Sequence, residues 1–159
     1  MPPAIRVRLA EAKDVEAMSR VMTRSIAELC AADHGGDPET IAGWTRNNTP
    51  QGVAQMLANP QLSLFVAEIG GHVGAVGAIA GPDTVALNYV SPDHRRRGLS
   101  RALLARMEAE MAARGTDLAW LTSTRTALEF YRAHGWQDAG PPELGHDVSG
   151  YPMTKRLAR

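Results

Sequence analysis

The sequence has one cysteine, no net charge and no long apolar run, and each of these features excludes a class of protein. Cys30 has no second cysteine to pair with, so an internal disulfide is excluded. Lysine plus arginine equals aspartate plus glutamate at 17 each, so no overall field exists to hold a polyanion such as DNA or an acidic membrane. We therefore expect no nucleic-acid partner.

The beginning of the sequence lacks the apolar core of a signal peptide, and no later stretch is apolar for long enough to span a bilayer. These features predict a cytoplasmic protein that has no membrane partner. The 159 residues fit one domain, residues 1–159, of a size that buries about two thirds of its unfolded surface.

Charge is distributed unevenly although its sum is zero. Residues 1–90 carry 6 basic and 9 acidic groups, and residues 91–159 carry 11 basic and 8 acidic groups. The basic share begins at SPDHRRRGLSRALL, residues 91–104, where three arginines precede a glycine. This stretch is the first candidate for a functional site.

The period of the apolar residues predicts the secondary structure. A period of two, or a short apolar run, predicts strands at Ile5–Leu9, Leu62–Ile69, Val73–Ala80, Thr84–Val90 and Asp117–Thr124, and two more around GWQDA and GYPMTKRL. A period of three to four predicts a long helix after Asp14, two short helices capped by Asp37 and Thr49, a helix from Leu99 to Gly115 and a short one in RTALEFYRAH. This order describes an α/β or α+β sheet covered by helices.

The stretch of residues 91–104 lies between a predicted strand and a predicted helix, which gives its charge a meaning. A helix start exposes unpaired N–H groups and a partial positive charge, so it can bind a phosphate or diphosphate. Gly98 lets a ligand approach the backbone, and Ser100 is also small. The alternative is that Arg95–Arg97 form a solvated loop, which is common for charge runs. The position before a helix favours the anion site.

Two stretches resemble the sequence pattern of one family. VSPDHRRRGLSRALL is similar to the acetyl-CoA signature Q/R-x-x-G-x-G/A of the GNAT-superfamily N-acetyltransferases, with Arg95, Gly98 and Ser100 at its first, fourth and sixth places. The stretch TSTRTALEFYRAHGWQDAG is similar to that family's pattern N-x-x-A-x-x-F-Y-x-x-x-G-F. The second match departs at Thr124, where asparagine is usual, and at Trp136, where phenylalanine is usual.

The resemblance implies a fold and a co-substrate. The fold is a mixed, mostly antiparallel twisted sheet of about seven strands flanked by helices, in which a splayed parallel pair ending at Val90 and Thr122 holds acyl-CoA. Backbone groups of Tyr89 and Val90 would bind the pantetheine arm. The diphosphate of acetyl-CoA would bind at Arg95, Arg96, Arg97, Gly98, Ser100 and Arg101. Thr124 would contact the cofactor or cap its own helix, and capping is favoured.

The resemblance also implies a role for Tyr131, as the donor of a proton or hydrogen bond to the departing sulfur. Its ordinary pKa of about 10 is near that of a thiol, about 8.5, so proton transfer is feasible. The alternative is an aromatic ring packed on the sheet, since Ala127 and Tyr131 are one helical turn apart.

The acceptor side is less defined. Asp33, His34, Trp44 and Asn88 are the candidate substrate residues, although loop polarity and core packing also account for the first three. Asn88 stands where many relatives have an acid, and it cannot accept a proton usefully. Cys30 and His34 are too few ligands for zinc, so no metal is expected.

These observations lead to one expected function and one alternative. We expect an acetyl-CoA-dependent N-acyltransferase that acetylates a primary amine of a small molecule or peptide by direct attack in a ternary complex. The alternative is a non-catalytic acyl-CoA-binding regulatory module. The sequence identifies neither the acceptor nor the general base, and it leaves the oligomeric state open, a homodimer included.

Overall fold

The computed structural model describes residues 4–145 and 148–158, which form a mixed sheet with helices packed on both faces. The strands are β1 (Ile5–Leu9), β2 (Leu62–Ile69), β3 (His72–Ala80), β4 (Thr84–Val90), β5 (Leu118–Ser123), β6 (Gln137–Asp138), β7 (Glu143–Leu144) and β8 (Ser149–Arg156). The helices are α1 (Val15–Leu29), α2 (Ala31–His34), α3 (Pro38–Trp44), α4 (Pro50–Ala58), α5 (Leu99–Ala113) and α6 (Leu128–Ala133). Within the described residues, no helix has the length and apolar character that a bilayer crossing requires.

The order of the strands in the sheet confirms the predicted fold class. It is β1-β2-β3-β4-β5-β8-β6, and the short β7 also pairs with β8. Every pair is antiparallel except β4 with β5, which is parallel. A parallel neighbour requires a crossover connection, and α5 supplies it.

The parallel pair separates because β4 contains a bulge. Ala78 of β3 faces Leu87 and the next residue, Ile79, faces Val85, so Ala86 is an extra residue in β4. The pairing of β4 with β5 ends at the same place, since its register contains only Thr84 with Trp120 and Val85 with Leu121. Beyond the bulge the two strands leave a gap in the sheet. The splayed pair that the resemblance implied is therefore present.

Side chains of β4 alternate between the two helical layers on either side of this gap. Asn88 lies directly opposite Gly77, so both residues face the same side of the sheet. A Cβ on Gly77 would lie 2.9 Å from the sulfur of Met107 and 3.0 Å from Leu103, so this side is the one that α5 covers. Leu87 and Tyr89 pack with the cluster on the opposite face, which includes buried residues of α1 and α4.

The predicted helix α5 buries the apolar row that defined it. Leu99, Leu103, Met107 and Met111 are at most 1% exposed. The predicted caps are also confirmed, since the side chain of Asp37 accepts from the N–H of Thr40 and that of Thr49 from the N–H of Gly52. These contacts satisfy helix-start groups that would otherwise have no partner.

Three local features differ from the sequence expectations. Helix α6 begins at Leu128 instead of Arg125, because side-chain oxygens of Asp33 and Thr124 hold the N–H groups of residues 125–127 in turns. The four-residue α2 and the two-residue β7 were not predicted. Both elements are too short for a period of apolar residues to show.

Candidate active site

The gap between β4 and β5 opens into a cavity of about 270 Å³ that residues of α1, β4, β5, α5 and α6 line. We call it the reaction cavity. Arg95 and Ser100 line one part of it, and Asn88 and Tyr131 line another. The bulge, the crossover and α6 together bring residues from distant parts of the sequence to one cleft.

The start of α5 is an exposed set of backbone donors. Gly98 has φ 86° and no side chain caps the helix, so the first-turn N–H groups have no intrahelical partner. Arg96 has φ 61°, and among the described residues it is the one non-glycine residue with positive φ. Such a conformation is costly for a residue with a Cβ and is concentrated at functional sites. The turn therefore has the geometry of an anion site.

The arginines of this turn are not neutralised by the protein. Within the described part of the chain, the side chains of Arg95, Arg96, Arg97 and Arg101 form no hydrogen bond or ion pair. The neighbouring carboxylate of Asp93 is bound by Arg24 at 2.7 Å instead. The positive charge of the turn is thus available to a ligand.

The edge of β4 that faces the gap carries free backbone groups. Ser91 donates its N–H to the carbonyl of Gly74 at 2.8 Å. Counted back from Ser91, every second residue of β4 therefore forms its backbone hydrogen bonds with β3. The N–H and C=O of Tyr89 then face β3, and those of Asn88 and Val90 face the gap. Of the two residues expected to bind pantetheine through their backbone, Val90 has its groups on the open edge.

Tyr131 lies at the bottom of the reaction cavity, 6% exposed. Its ring makes edge contacts with Phe130 at 5.3 Å and with Trp136 at 6.1 Å between centroids. Burial raises the pKa of Tyr131 well above its ordinary value, and a contact with the side chain of Asn88 opposes this rise. The pKa of Tyr131 in the protein is therefore further from that of a thiol than its ordinary value of about 10. The phenol therefore stays protonated near pH 7.

A second cavity, of about 290 Å³, lies beside the same gap. We call it the outer cavity. Trp44, Glu143 and residues 148–150 line it, and Tyr89 and residues 122–124 line both cavities. Burial raises the pKa of Tyr89 to about 12, and a contact with the side chain of Trp44 opposes this rise. The hydroxyl of Tyr89 is therefore neutral near pH 7.

Asp33 and His34 are held within the protein. The carboxylate of Asp33 accepts from the N–H of Arg125 at 2.6 Å, and from the N–H of Thr126 at 3.1 Å. His34 is 5% exposed, with Nε2 2.7 Å from the carbonyl of Ile26 and Nδ1 accepting from the N–H of Gly36 at 2.9 Å. Both residues join α2 to its surroundings.

Trp44 and Thr124 connect the cavities to their supporting elements. The ring of Trp44 contacts that of His34 edge-on, at 6.1 Å between centroids. The hydroxyl of Thr124 accepts from the N–H of Ala127 at 3.1 Å in the turn before α6, so it does not cap that helix as expected, and the residue also lines both cavities.

Cys30 lies at the edge of the reaction cavity, 5% exposed. Burial, followed by the charge of Asp33, raises the pKa of the thiol to about 11. The thiol is thus protonated and a poor nucleophile near pH 7. The described residues contain no group of three or more His, Cys, Asp or Glu side chains that could hold a metal ion.

A family model described as an acetyltransferase (GNAT) domain matches residues 30–157. The chain belongs to the GNAT acetyltransferase family. No curated protein gives a significant match to its sequence.

Solved structures show where the GNAT fold of this chain recurs. A GCN5-related N-acetyltransferase from Rhodopseudomonas palustris is 22% identical with a TM-score of 0.86, and the match covers 99% of this chain and 97% of that one. PaiA N-acetyltransferase from Thermoplasma acidophilum, in complex with coenzyme A, is 16% identical with a TM-score of 0.80, over 97% and 99% of the two chains. The ribosomal-protein-S18-alanine N-acetyltransferase from Escherichia coli is 20% identical with a TM-score of 0.67, over 98% and 96%. At identities this low, the structural similarity shows that these proteins share the fold of this chain.

Sequence reasoning missed Glu143, and it named Asn88 without placing it beside Tyr131. Glu143 was part of a loop without a distinctive pattern, and its position depends on the pairing of β7 with β8. Asn88 was expected as a substrate residue that cannot act as a base, and the structure places its side chain in contact with Tyr131. Its position opposite Gly77 could have indicated the face, but not the partner, because α6 is distant in sequence.

Proposed function

We propose that this protein transfers the acetyl group of acetyl-CoA to a primary amine of a small molecule or peptide. The observation that carries the proposal is the reaction cavity, which joins a bare, positively charged helix start to a buried tyrosine along an open strand edge. We further propose a single cytoplasmic domain without a metal.

The lining residues fit acetyl-CoA by their chemistry. The first-turn N–H groups of α5 and the arginines before it would bind the diphosphate. The free N–H and C=O groups of Asn88 and Val90 would pair with the amides of the pantetheine arm. The complex of PaiA N-acetyltransferase with coenzyme A supports this assignment.

Bound acetyl-CoA supplies a thioester whose carbonyl carbon an amine can attack. A backbone N–H at the open edge of β4 would donate to the thioester oxygen as it becomes negative, and such a donor contributes about 3 to 4 kcal/mol. The new bond joins the amine nitrogen to the acetyl carbon, and the bond between carbon and sulfur breaks. Tyr131 then donates a hydrogen bond to the departing sulfur, which takes up the second proton that the nitrogen loses as the amide forms.

The amine would enter from the outer cavity and must lose a proton to react. This loss costs about 4 kcal/mol at pH 7 for an amine with a pKa of about 10. Among the described residues that line the outer cavity, Glu143 is the carboxylate. We assign it, with solvent water, as the acceptor of that proton.

The test is to incubate the purified chain with acetyl-CoA and a mixed panel of amines and to measure free thiol. We expect thiol release that depends on the amine. Binding of coenzyme A by calorimetry without thiol release would support the non-catalytic binding module instead. No binding and no release would overturn the assignment of the cavity.

A further inference from the structure

Trp120 is a large apolar side chain that the fold leaves open to solvent. It is 43% exposed, whereas its neighbours in β5, Ala119 and Leu121, lie buried in the core that includes α5. Side chains alternate along a strand, so Trp120 and Thr122 face the opposite side of the sheet. Tyr89 of the neighbouring strand packs on this same side, and Tyr89 and Thr122 line the outer cavity. Trp120 and the outer cavity therefore lie on one face of the sheet.

A third cavity, of about 330 Å³, lies beside the exposed ring of Trp120. We call it the Trp120 cleft. Its walls include Pro141, Pro142 and Pro152, which have rigid apolar rings and no N–H to donate. Clefts lined by aromatic and apolar groups, with a few polar groups among them, are typical of ligand sites. The Trp120 cleft thus fits an aromatic or aliphatic group.

The Trp120 cleft adjoins the outer cavity. Thr122 and Glu143 line both of them. Because Thr122 and Trp120 are two residues apart on one face of β5, their side chains lie about 7 Å apart along the strand. Among the described residues that line these two cavities, Glu143 is the one with a charge. A ligand that occupies both cavities would meet a carboxylate where they join and an apolar surface beyond it.

The carboxylate at the junction indicates which part of the ligand lies where. A carboxylate attracts an ammonium group, so the amine of an acceptor would bind near Glu143. The outer cavity shares Tyr89 and residues 122–124 with the reaction cavity, so an amine bound there is on the side of the thioester. The remainder of the same molecule would extend along β5 towards Trp120.

We propose that the Trp120 cleft is a subsite for the acceptor, and that the acceptor is an amine with an aromatic or branched aliphatic group about 7 Å from its nitrogen. The amine binds in the outer cavity near Glu143. The apolar group packs against the ring of Trp120, which makes Trp120 a specificity-determining residue. This inference rests on the proposed function.

The first test measures thiol release from acetyl-CoA with phenylalkylamines of increasing spacer length, from benzylamine to phenylhexylamine. Each is compared with the alkylamine that lacks the ring. We expect the kcat/KM of phenylhexylamine to exceed that of hexylamine about tenfold, because its ring reaches Trp120. Benzylamine should have a much smaller advantage over methylamine, since its ring stays in the outer cavity. An advantage of the ring that is equal at every spacer length would overturn the subsite.

The second test compares Trp120→Ala and Trp120→Phe with the wild type. We expect Trp120→Ala to raise the KM of phenylhexylamine about tenfold and to leave the KM of benzylamine nearly unchanged. Trp120→Phe keeps an aromatic ring and should restore most of the loss. Because benzylamine turnover also reports folding, equal losses for the two amines would show that Trp120 acts through the fold, and the subsite would be wrong.

Leu9→Ala is the matched control for Trp120→Ala. Leu9 is another exposed apolar side chain, and it lines none of the three cavities. Its truncation should change the KM of neither amine. A selective rise in the KM of phenylhexylamine in Leu9→Ala would contradict the assignment to Trp120.

A second copy of this chain is the other occupant that an exposed apolar surface could have. Sedimentation of the wild type and of Trp120→Ala tests this alternative. We expect the same oligomeric state in both. A wild-type dimer that Trp120→Ala dissociates, together with an unchanged preference between the two amines, would overturn the subsite in favour of an interface.

A small amine and the N-terminus of a peptide can both present this chemistry. The amide of the tripeptide Gly-Gly-Phe carries its ring about two extended residues from its amine, or about 7 Å. A kcat/KM above that of phenylhexylamine would identify a peptide as the source, and a lower value would identify a small molecule. The better of the two acceptors should lose about tenfold in Trp120→Ala, and an unchanged value would overturn the subsite.

The proposed function and this inference fail in different ways. A wild-type protein that releases no thiol with any amine of the series overturns the function, and the subsite with it. A wild-type protein that acetylates benzylamine and phenylhexylamine, with both values unchanged in Trp120→Ala, overturns only the role of the Trp120 cleft.

Discussion

Tyr131 packs in the core and is also the proposed hydrogen-bond donor, and its sequence position alone does not separate these functions. Its ring packs against Phe130 and Trp136 as a core residue, and its hydroxyl borders the reaction cavity beside Asn88. The packing and catalytic interpretations of the sequence are therefore compatible. The ring restricts the position of the hydroxyl, and this restriction is what a preorganised donor requires.

Replacing Tyr131 with phenylalanine separates these functions. We expect kcat to fall about 100-fold, since a positioned donor contributes about 10² to 10⁴ in rate. Coenzyme A affinity should remain within about twofold, because the diphosphate contacts are distant in the cleft. Thiol release and calorimetry measure the two quantities.

Tyr151→Phe is the matched control for this change. The Tyr151 hydroxyl accepts from Arg125 at 2.7 Å, and the residue lines neither cavity. Loss of the Tyr151 hydroxyl should leave kcat nearly unchanged. A loss of coenzyme A affinity in Tyr131→Phe as large as its loss of kcat would count against the donor role.

Gly98 tests the anion site at the start of α5. Gly98→Val should weaken coenzyme A binding at least tenfold, because a side chain at φ 86° distorts the turn whose N–H groups would face the diphosphate. We also expect a loss of about 1 to 2 kcal/mol in unfolding free energy from the left-handed conformation. Calorimetry and urea unfolding measure these effects.

Gly71→Val provides the comparison, since Gly71 has φ 81° in the hairpin between β2 and β3 and has open space around it. We expect Gly71→Val to lose about as much unfolding free energy as Gly98→Val and to keep its affinity for coenzyme A. If both variants lose affinity equally, the effect of Gly98→Val is a general result of strain and the diphosphate site is wrong.

At the scale of elements, the site depends on contacts that hold α2 against the start of α6. The carboxylate of Asp33 accepts from two consecutive backbone N–H groups and from the hydroxyl of Thr126. These contacts replace the first turn of the predicted helix and place α6 beside the gap. Asp33 therefore acts on the site through the backbone in this structure.

Asp33→Ala should lower the unfolding free energy by about 1 to 3 kcal/mol, because the N–H groups of Arg125 and Thr126 lose a charged acceptor. The kcat should fall in proportion to the displacement of α6, and its pH dependence should keep its shape. Thermal unfolding and a pH–rate profile measure both. A variant with unchanged stability and no activity would instead favour the role of Asp33 as a substrate residue.

At the scale of the whole molecule, stability should depend on pH at both ends of the range. The pKa of Asp14, 5% exposed, is lowered mainly by its hydrogen bonds with Arg8, whose guanidinium lies 2.8 Å away. A lowered pKa contributes stability that is present above the unfolded value of about 3.9 and is lost as pH falls through the folded value. The raised pKa values of Tyr89 and Tyr131 contribute stability that is present below pH of about 10 and is lost above it.

We therefore expect a plateau of unfolding free energy between about pH 5 and pH 9, with a decline on each side. Asp14→Asn should lower the plateau and reduce the acid decline, and Tyr131→Phe should reduce the alkaline decline. Urea unfolding from pH 2 to pH 11 measures these curves. An acid decline of equal size in Asp14→Asn would show that other carboxylates cause it.

The sequence alone was sufficient to predict the long helices and strands and to identify the family. The apolar row of α5, the caps at Asp37 and Thr49 and the extended conformation of β1 are local properties, so periodicity and cap chemistry predicted them. The charged turn before Gly98 was also visible, because its residues are consecutive. Local interactions determine features of this kind without information from the rest of the chain.

Tertiary structure decided the chemistry of the cleft. The bulge at Ala86 separates β4 from β5, and the contact of Asn88 with Tyr131 joins a strand to a helix that is distant in sequence. The raised pKa of Tyr131 has the same origin, since burial is a property of the packed molecule. Desolvation and long-range contacts depend on which elements pack together, and the order of residues along the chain does not state this.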